Sequence, residues 1–335
     1  MGIRVTTGVV LAVVSAFAVA GTAAAASRRD ASEHKLFVVT TVSPITSIVA
    51  SVAGDLVEIH GLIPEGTNSH TFEPPPSAAE TLAKADLLFV NGLKLEDPTE
   101  DLANENLKDG AEIVELGTKT IPKRAYLYDF SFPRDGGKPN PHLWTNPPYA
   151  RSYARIVADT LQRLDPAHEA QYEANYRAFA AKVDEFDQAM KTASASMTVA
   201  QRKLLTYHDA YAYFAKHYSW EVIGAVQISS FEDPTPREVA RLISQVRKQG
   251  VPAIFGSEVF PSPVLEQIGK EAGVRYVDEL RDDDLPGQPG DGNHSWLGLM
   301  KFDFVSMVKN LGGDTAALDA VSIQSGTRDT AEYPQ

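Results

Sequence analysis

Apolar residues recur along the chain in two patterns, one typical of short strands and the other of amphipathic helices. Residues 35–41 form a β-branched apolar run, residues 43–53 form a helical pattern that Gly54 ends, and residues 55–63 alternate apolar and polar positions. This strand–helix–strand order favours a parallel sheet, and the same alternation returns in the second half of the chain. The predicted fold class is therefore α/β.

One apolar stripe is much longer than the others and predicts a single helix over residues 166–197. Its members alternate at spacings of four and three residues, which is the period of one helix face. At 1.5 Å per residue such a helix is roughly 45 Å long, so we interpret it as a rigid connector between two lobes. A long core helix within one domain is the alternative. The stripe consists of Tyr172, Tyr176, Phe179, Val183, Phe186, Met190, Ala193 and Met197.

These patterns divide the chain into five predicted segments. The apolar run at 9–20 is short for a membrane span and is followed by small residues, which indicates a cleaved signal peptide; an N-terminal anchor is the alternative. Each lobe is predicted to be a mostly parallel sheet flanked by helices. The segments are a signal peptide at 1–26, an N-terminal lobe at 35–164, a connecting helix at 165–197, a C-terminal lobe at 198–312 and a flexible tail at 313–335.

Composition narrows the possible environments and partners. The 335 residues carry a formal net charge of −13, which argues against binding to nucleic acid. The chain has no Cys, so disulfides, thiolate chemistry, Cys-based metal sites and a lipid-bearing Cys are excluded. We therefore expect an exported, periplasmic protein without a lipid anchor, and a monomer.

Three of the eight His lie where an α/β sheet binds ligands. His70 follows a predicted strand, His142 lies in the stiff Pro-rich stretch PNPHLWTNPP at 139–148, and His208 ends another strand. Asp278 ends a strand predicted at 274–277. Three imidazoles and one carboxylate suit tetrahedral Zn²⁺ and tolerate Mn²⁺ or Fe²⁺.

The remaining His and several acids have supporting or alternative roles. His34, His60, His168 and His217 are interpreted as structural or solvated. Asp284 and His294, in a polar loop, stay open as alternatives to Asp278. Three acids close to a candidate ligand or at a strand end could orient the imidazole rings or be solvated, namely Glu73, Asp209 and Glu258.

Four stretches resemble, in order and spacing, the zinc/manganese solute-binding proteins of ABC importers (cluster A-I, or cluster 9). They are GTNSHTFEPPPS, NPHLWTNP, TYHDAYAYFAKHY and AIFGSEVFPSP…GVRYVDEL, and the resemblance extends from about 35 to 311. It implies two α/β lobes bridged by one long helix, with the metal in the cleft between them. It also implies an ABC permease as partner, with a periplasmic metallochaperone as a further candidate. The implied metal ligands are His70, His142, His208 and Asp278.

The sequence also leaves alternatives open for the metal and for the class of protein. Zinc members often carry a His-rich loop before the second ligand, but residues 117–140 contain no His, so a manganese or iron(II) receptor stays open.

A secreted zinc hydrolase would need an open coordination position, and no HExxH motif is present. A closed set of four protein ligands favours capture over catalysis, so we predict that the protein is not an enzyme. A surface adhesion protein with a structural metal is a further alternative.

Overall fold

A computed structural model describes residues 1–2, 35–227, 234–257 and 262–335 of the chain. Most of the predicted signal peptide and the candidate Glu258 lie outside these residues. Within the described ranges, no helix combines the length and the apolar character that a bilayer crossing requires. Between 37 and 319, the described residues alternate between strands and helices, as the apolar pattern predicts.

The first half of the chain builds one parallel sheet of four strands in the order β2-β1-β3-β4. Helices connect consecutive strands because parallel strands need a crossover between them. The registers pair Val39 with both His60 and Leu88. The elements are β1 (Phe37–Thr40), α1 (Ser43–Ala53), β2 (Glu58–Gly61), α2 (Pro76–Leu82), β3 (Leu87–Val90), α3 (Asp97–Asn106), β4 (Glu112–Glu115), α4 (Leu116–Thr120) and α5 (Pro147–Leu164).

The second half contains two parallel strand pairs, β5-β6 and β7-β8, with β5 beside β7. Helices again follow the strands, so the α/β prediction is confirmed in both halves. The elements are α6 (Glu169–Ala195), β5 (Lys203–Thr206), α7 (Ala212–Tyr218), β6 (Glu221–Ala225), α8 (Pro236–Gln249), β7 (Ala253–Ser257), α9 (Pro263–Ala272), β8 (Arg275–Leu280), α10 (Trp296–Asn310) and α11 (Ala316–Asp319).

Helix α6 is the long helix that the apolar stripe predicts. It has 27 residues, or about 40 Å, and follows a 3-10 turn at Pro166–His168. It packs against α1 and α5 from the first half and against α10 and α11 from the second. Its stripe residues Phe179, Val183 and Phe186 belong to one buried cluster that also includes residues of both halves. Helix α6 therefore joins the two halves through a shared core.

Strand β8 differs from its prediction in a way that changes the site. The predicted strand ends at 277, whereas β8 continues to Leu280, which pairs with Ser257 after an irregularity in the ladder. Asp278 thus lies within the strand, and its side chain is exposed. The polar residues that follow the strand are those from 281 onward.

The tail at 313–335 is not separate from the first sheet. Glu332 N donates to Ile59 O and Gly61 N donates to Glu332 O, both at 2.9 Å. His60 Nδ1 also lies 2.7 Å from Glu332 Oε2. The predicted flexibility of this segment, which is based on its small and polar residues, stays a prediction. The unpaired backbone groups of edge strand β2 supply hydrogen bonds that such composition does not reveal.

Asp303, on α10, leads to a prediction on stability. The buried carboxylate accepts hydrogen bonds from Tyr211 Oη (2.8 Å) and Arg281 N (3.0 Å). Burial raises the pKa of Asp303 to about 8. Because the folded pKa exceeds the unfolded one, this group favours folding at low pH, and its contribution declines between about pH 4 and pH 8.

We expect Asp303→Asn to flatten the pH dependence of stability in the metal-free protein. The neutral amide keeps an acceptor for Arg281 N and has no charge to bury. Between pH 5 and pH 7.5, the free energy of unfolding of the wild type should fall by about 1 kcal/mol per pH unit more than that of Asp303→Asn. Urea unfolding series in the presence of a chelator measure both slopes, and equal slopes would refute this role of Asp303.

Candidate metal centre

The structure brings together the three His that the sequence singles out. His70 lies in a 3-10 turn (Ser69–Thr71) after β2, and the Asn68 side chain accepts a hydrogen bond from His70 N. His142 lies directly before a 3-10 turn, and His208 follows β5. The distances from His142 Nε2 to His70 Nε2 and to His208 Nε2 are both 3.2 Å. Three imidazole nitrogens therefore converge on one point.

The fourth group at this point is Asp283 and not Asp278. One ligand atom from each of His70, His142, His208 and Asp283 lies within 4.8 Å of the other three. Asp278 is exposed on β8, so the structure does not bring it to the cluster. The physical reason is the longer strand, because the chain reaches the carboxyl edge of the sheet only after Leu280.

The two alternatives to Asp278 have other contacts. Asp284 Oδ2 accepts a hydrogen bond from Gly66 N at 2.7 Å, which ties the loop before His70 to the loop that carries Asp283. His294 is buried elsewhere, with its Nε2 3.7 Å from Glu65 Oε1. Neither belongs to the four-residue cluster.

The spacing of the donor atoms fits a metal ion. A tetrahedral shell with bonds of 2.0–2.1 Å places its ligand atoms roughly 3.3 Å apart, close to the two 3.2 Å separations. Within the described ranges, Asp283 Oδ1 has no hydrogen-bond partner, although the side chain is buried. A buried carboxylate oxygen without a donor is unfavourable unless a cation satisfies it. The donor set therefore suits a divalent cation bound between the loops.

Asn140 orients the ring of His142. Its Oδ1 lies 3.0 Å from both the backbone N and the ring Nδ1 of His142. A hydrogen on Nδ1 would leave a lone pair on Nε2, which faces the cluster. Asn140 Nδ2 in turn donates to Asp129 Oδ2 and to the backbone oxygen of Asp209. Asp209 thus supports the site through its backbone, whereas Glu73 is exposed.

We expect Asn140→Ala to weaken metal binding by about 10- to 100-fold, which is the usual cost of losing a group that orients a ligand. All proposed ligands are retained, so the effect would come from the freed His142 ring. Isothermal titration with Zn²⁺ measures the change. Asn106→Ala, which removes an amide that caps a backbone oxygen on α3, is the matched control. Equal affinities for the two variants would show that Asn140 does not position the ring.

Asp282 is a functional candidate that the sequence reasoning missed. Its Oδ2 lies 2.8 Å from His208 Nε2, and its Oδ1 accepts a hydrogen bond from Ser257 Oγ. Burial opposes a charge on His208, but the Asp282 carboxylate raises the pKa of His208 to about 9. Burial instead lowers the pKa values of His70 and His142. Without metal, a protonated His208 would therefore place a positive charge beside the buried Asp282 and Asp283.

A chain of indole hydrogen bonds fixes the loop that carries these acids. Trp144 Nε1 donates to Asp282 O at 2.8 Å, and Trp296 Nε1 donates to Trp144 O at 3.0 Å. Ser69 Oγ donates to Asp283 Oδ2 at 2.6 Å, next to His70 in the chain. The loops that carry His70, His142 and Asp283 are thus held together by direct contacts.

The other described His pair with carboxylates away from this cluster. His60 contacts Glu332, His168 contacts Asp165, and His217 contacts Asp187, at distances of 2.6–2.7 Å. Their interpretation as structural or solvated residues is consistent with these contacts. His34 lies outside the described ranges.

Comparison with known proteins identifies the family. The family described as zinc-uptake complex component A, periplasmic (ZnuA), matches residues 38–316. The chain belongs to this family. It is a substrate-binding protein of metal ABC importers and not an enzyme, as the sequence resemblance implies.

Three proteins that this chain resembles are described with different metals. The iron-binding protein YfeA of Yersinia pestis is 30% identical over 271 residues, which cover 80% of this chain and 85% of YfeA. The periplasmic zinc-binding protein TroA of Treponema pallidum has a TM-score of 0.75 at 25% identity, covering 83% of this chain and 99% of TroA. The manganese-bound periplasmic metal-binding protein of Candidatus Liberibacter asiaticus has a TM-score of 0.72 at 25% identity, covering 83% of this chain and all of that one.

Proposed function

We propose that the protein captures Zn²⁺ in the periplasm with His70, His142, His208 and Asp283 and delivers it to an ABC permease. The observation that carries this proposal is that His142 Nε2 lies 3.2 Å from the Nε2 atoms of both His70 and His208, beside a buried carboxylate. Four protein ligands would complete a tetrahedral shell and leave no position for an activated water. Such a site binds its metal without performing hydrolysis.

The ligand chemistry supports zinc over the alternatives. Imidazole-rich, four-coordinate sites suit Zn²⁺, whereas Mn²⁺ is better matched by carboxylates, carbonyls and water. Asp282 is the main reason to keep Mn²⁺ or Fe²⁺ as the second candidate, because it places another carboxylate 2.8 Å from a proposed ligand. The iron-binding and manganese-bound relatives point to the same alternative.

The proposed ligands divide equally between the two predicted lobes. His70 and His142 belong to the segment 35–164, and His208 and Asp283 belong to 198–312. We propose that the metal bridges these segments, with the helix at 165–197 as their connector. The α6 contacts with helices of both halves support that boundary. We propose that the receptor is a monomer released into the periplasm after signal cleavage, and the absence of Cys supports release without a lipid-bearing Cys.

A competition titration tests the choice of metal. Metal-free protein is titrated with Zn²⁺ in the presence of excess Mn²⁺, and the bound species are counted by native mass spectrometry. We expect one Zn²⁺ per chain that excess Mn²⁺ does not displace. Zinc generally binds such donors more tightly than manganese, so tight zinc binding alone does not decide the metal. The test therefore rests on the binding of one Zn²⁺ per chain and on the loss of that binding in ligand variants. Ready exchange for Mn²⁺ would favour the manganese receptor, and no binding of either ion would overturn the site.

A further inference from the structure

An open pocket lies beside His70 and has a charge that is unusual for this chain. A partly enclosed cavity of about 90 Å³ lies there and opens to solvent. Its walls include Leu93, Leu95 and Phe132. Among the described residues that line it, the only ionisable ones are His70, Lys94 and Lys138. Two Lys and no acidic residue therefore belong to the described lining of a cavity next to a proposed metal ligand.

The two Lys are available to a ligand. Lys94 is exposed and has no ion pair or hydrogen bond within the described part of the chain. Lys138 Nζ is 3.7 Å from Asp97 Oδ2, and both side chains are about half exposed, so their attraction is weak. The chain carries a net charge of −13, so a locally basic pocket does not follow from its composition. An entry route for a bare cation would instead be lined by oxygen donors.

The backbone at the pocket is held in an unfavourable conformation. Leu93 and Lys94 have φ angles of 56° and 66°, in the left-handed region that residues with a Cβ rarely adopt. The conformation is held by Leu95 N donating to Gly92 O and by Gly92 N donating to Glu96 Oε2. Leu93 is buried while Lys94 is exposed. Such strain concentrates at functional sites, and here it holds Lys94 at the pocket.

We propose that this pocket binds a small organic carboxylate beside the metal centre. The carboxylate groups would contact Lys94 and Lys138, and the carbon chain would pack on Leu93 and Phe132. The same chemistry has two sources, a free carboxylate anion or a carboxylate that arrives as a chelator of the metal. The pocket's place beside the metal centre rests on the proposed function, in which His70 is a metal ligand. Binding of an anion to the pocket can be tested without metal.

Isothermal titration of the metal-free protein at low ionic strength with tricarballylate, a weakly chelating tricarboxylate, tests the pocket. We expect saturable binding in the millimolar range or tighter. The double variant Lys94→Ala, Lys138→Ala should weaken it by about tenfold or more, as two exposed ion pairs allow. The control Lys248→Ala, Lys270→Ala removes the same charge from two other exposed positions and should bind as the wild type does. No saturable binding, or equal weakening in both double variants, would overturn the proposal.

A second arm separates the two sources. Citrate and tricarballylate are compared with and without one equivalent of Zn²⁺. Tighter binding of citrate in the presence of zinc, lost in the Lys94 and Lys138 variant, identifies a metal chelate as the ligand. Equal binding of both anions, independent of zinc, identifies a free anion. If the protein failed to bind zinc, the binding of tricarballylate to the metal-free protein would still be measured. The anion site and the metal site can therefore be refuted separately.

Discussion

Asp283→Asn is expected to lower zinc affinity by at least about 100-fold, whereas Asp278→Asn should change it by less than about twofold. Four-ligand zinc sites gain about 10–16 kcal/mol in total, so one ligand contributes about 3 kcal/mol, or more than 100-fold. The amide of Asn is neutral and a poor zinc ligand, although it has nearly the shape of the carboxylate. Asp278 is exposed on β8 and serves as the matched control. Competition with a chromophoric chelator at constant pH measures both affinities.

Metal-free stability separates loss of a ligand from misfolding. Burial and the neighbouring Asp282 raise the pKa of Asp283, which shows that a charge there is unfavourable without a cation. Asp283→Asn should therefore unfold at the same temperature as the metal-free wild type or higher. A variant that unfolds earlier would point to a structural defect. If Asp278→Asn lost more zinc affinity than Asp283→Asn, the assignment of the fourth ligand to Asp283 would be wrong.

Zinc is expected to raise the unfolding temperature of the wild type by about 10 °C. At a free zinc concentration 1,000 times the dissociation constant, binding to the folded state alone adds about 4 kcal/mol. A chain of this size gains a few degrees per kcal/mol. The site exists only in the folded protein, because its ligands come from loops more than 60 residues apart in the chain. Differential scanning calorimetry with and without a chelator measures the shift.

The same experiment distinguishes a receptor from a protein that needs metal to fold. The core that surrounds α6 contains apolar residues from both halves and does not depend on the metal ligands. We therefore expect the metal-free protein to keep its circular dichroism spectrum and a cooperative transition. Mg²⁺, a cation that prefers oxygen ligands, should give no comparable shift. Loss of the folded spectrum on chelation would support the structural-metal alternative.

The fold could be predicted because its main signals are local. The helical pattern at 43–53 gives the observed bounds of α1, and the stripe through Phe179 and Phe186 predicts α6. The convergence of the three His could be predicted because His70 and His208 each follow the carboxyl end of a strand and His142 lies in a Pro-rich loop. Periodicity and chain direction are sufficient for such inferences.

The position of Asp283 at the His cluster could not be predicted because it depends on where one strand ends. In RYVDEL two polar residues, Asp278 and Glu279, interrupt the apolar pattern, and only pairing with β7 shows that β8 reaches Leu280. The following run of three Asp was interpreted as a flexible polar loop. It contains Asp282 at His208, Asp283 at the cluster and Asp284 at Gly66 N, contacts that join distant parts of the chain. The pairing of the tail with β2 is likewise a long-range contact without a local signal.

X-ray absorption at the zinc edge of the loaded protein shows which atoms bind the metal. We expect a four-coordinate shell with three imidazole nitrogens and one carboxylate oxygen at about 2.0–2.1 Å, and the oxygen contribution should be lost or altered in Asp283→Asn. The multiple-scattering signal of imidazole counts the His ligands independently of the bond lengths. A six-coordinate, oxygen-rich shell, or fewer than three imidazoles, would contradict the proposed tetrahedral zinc site.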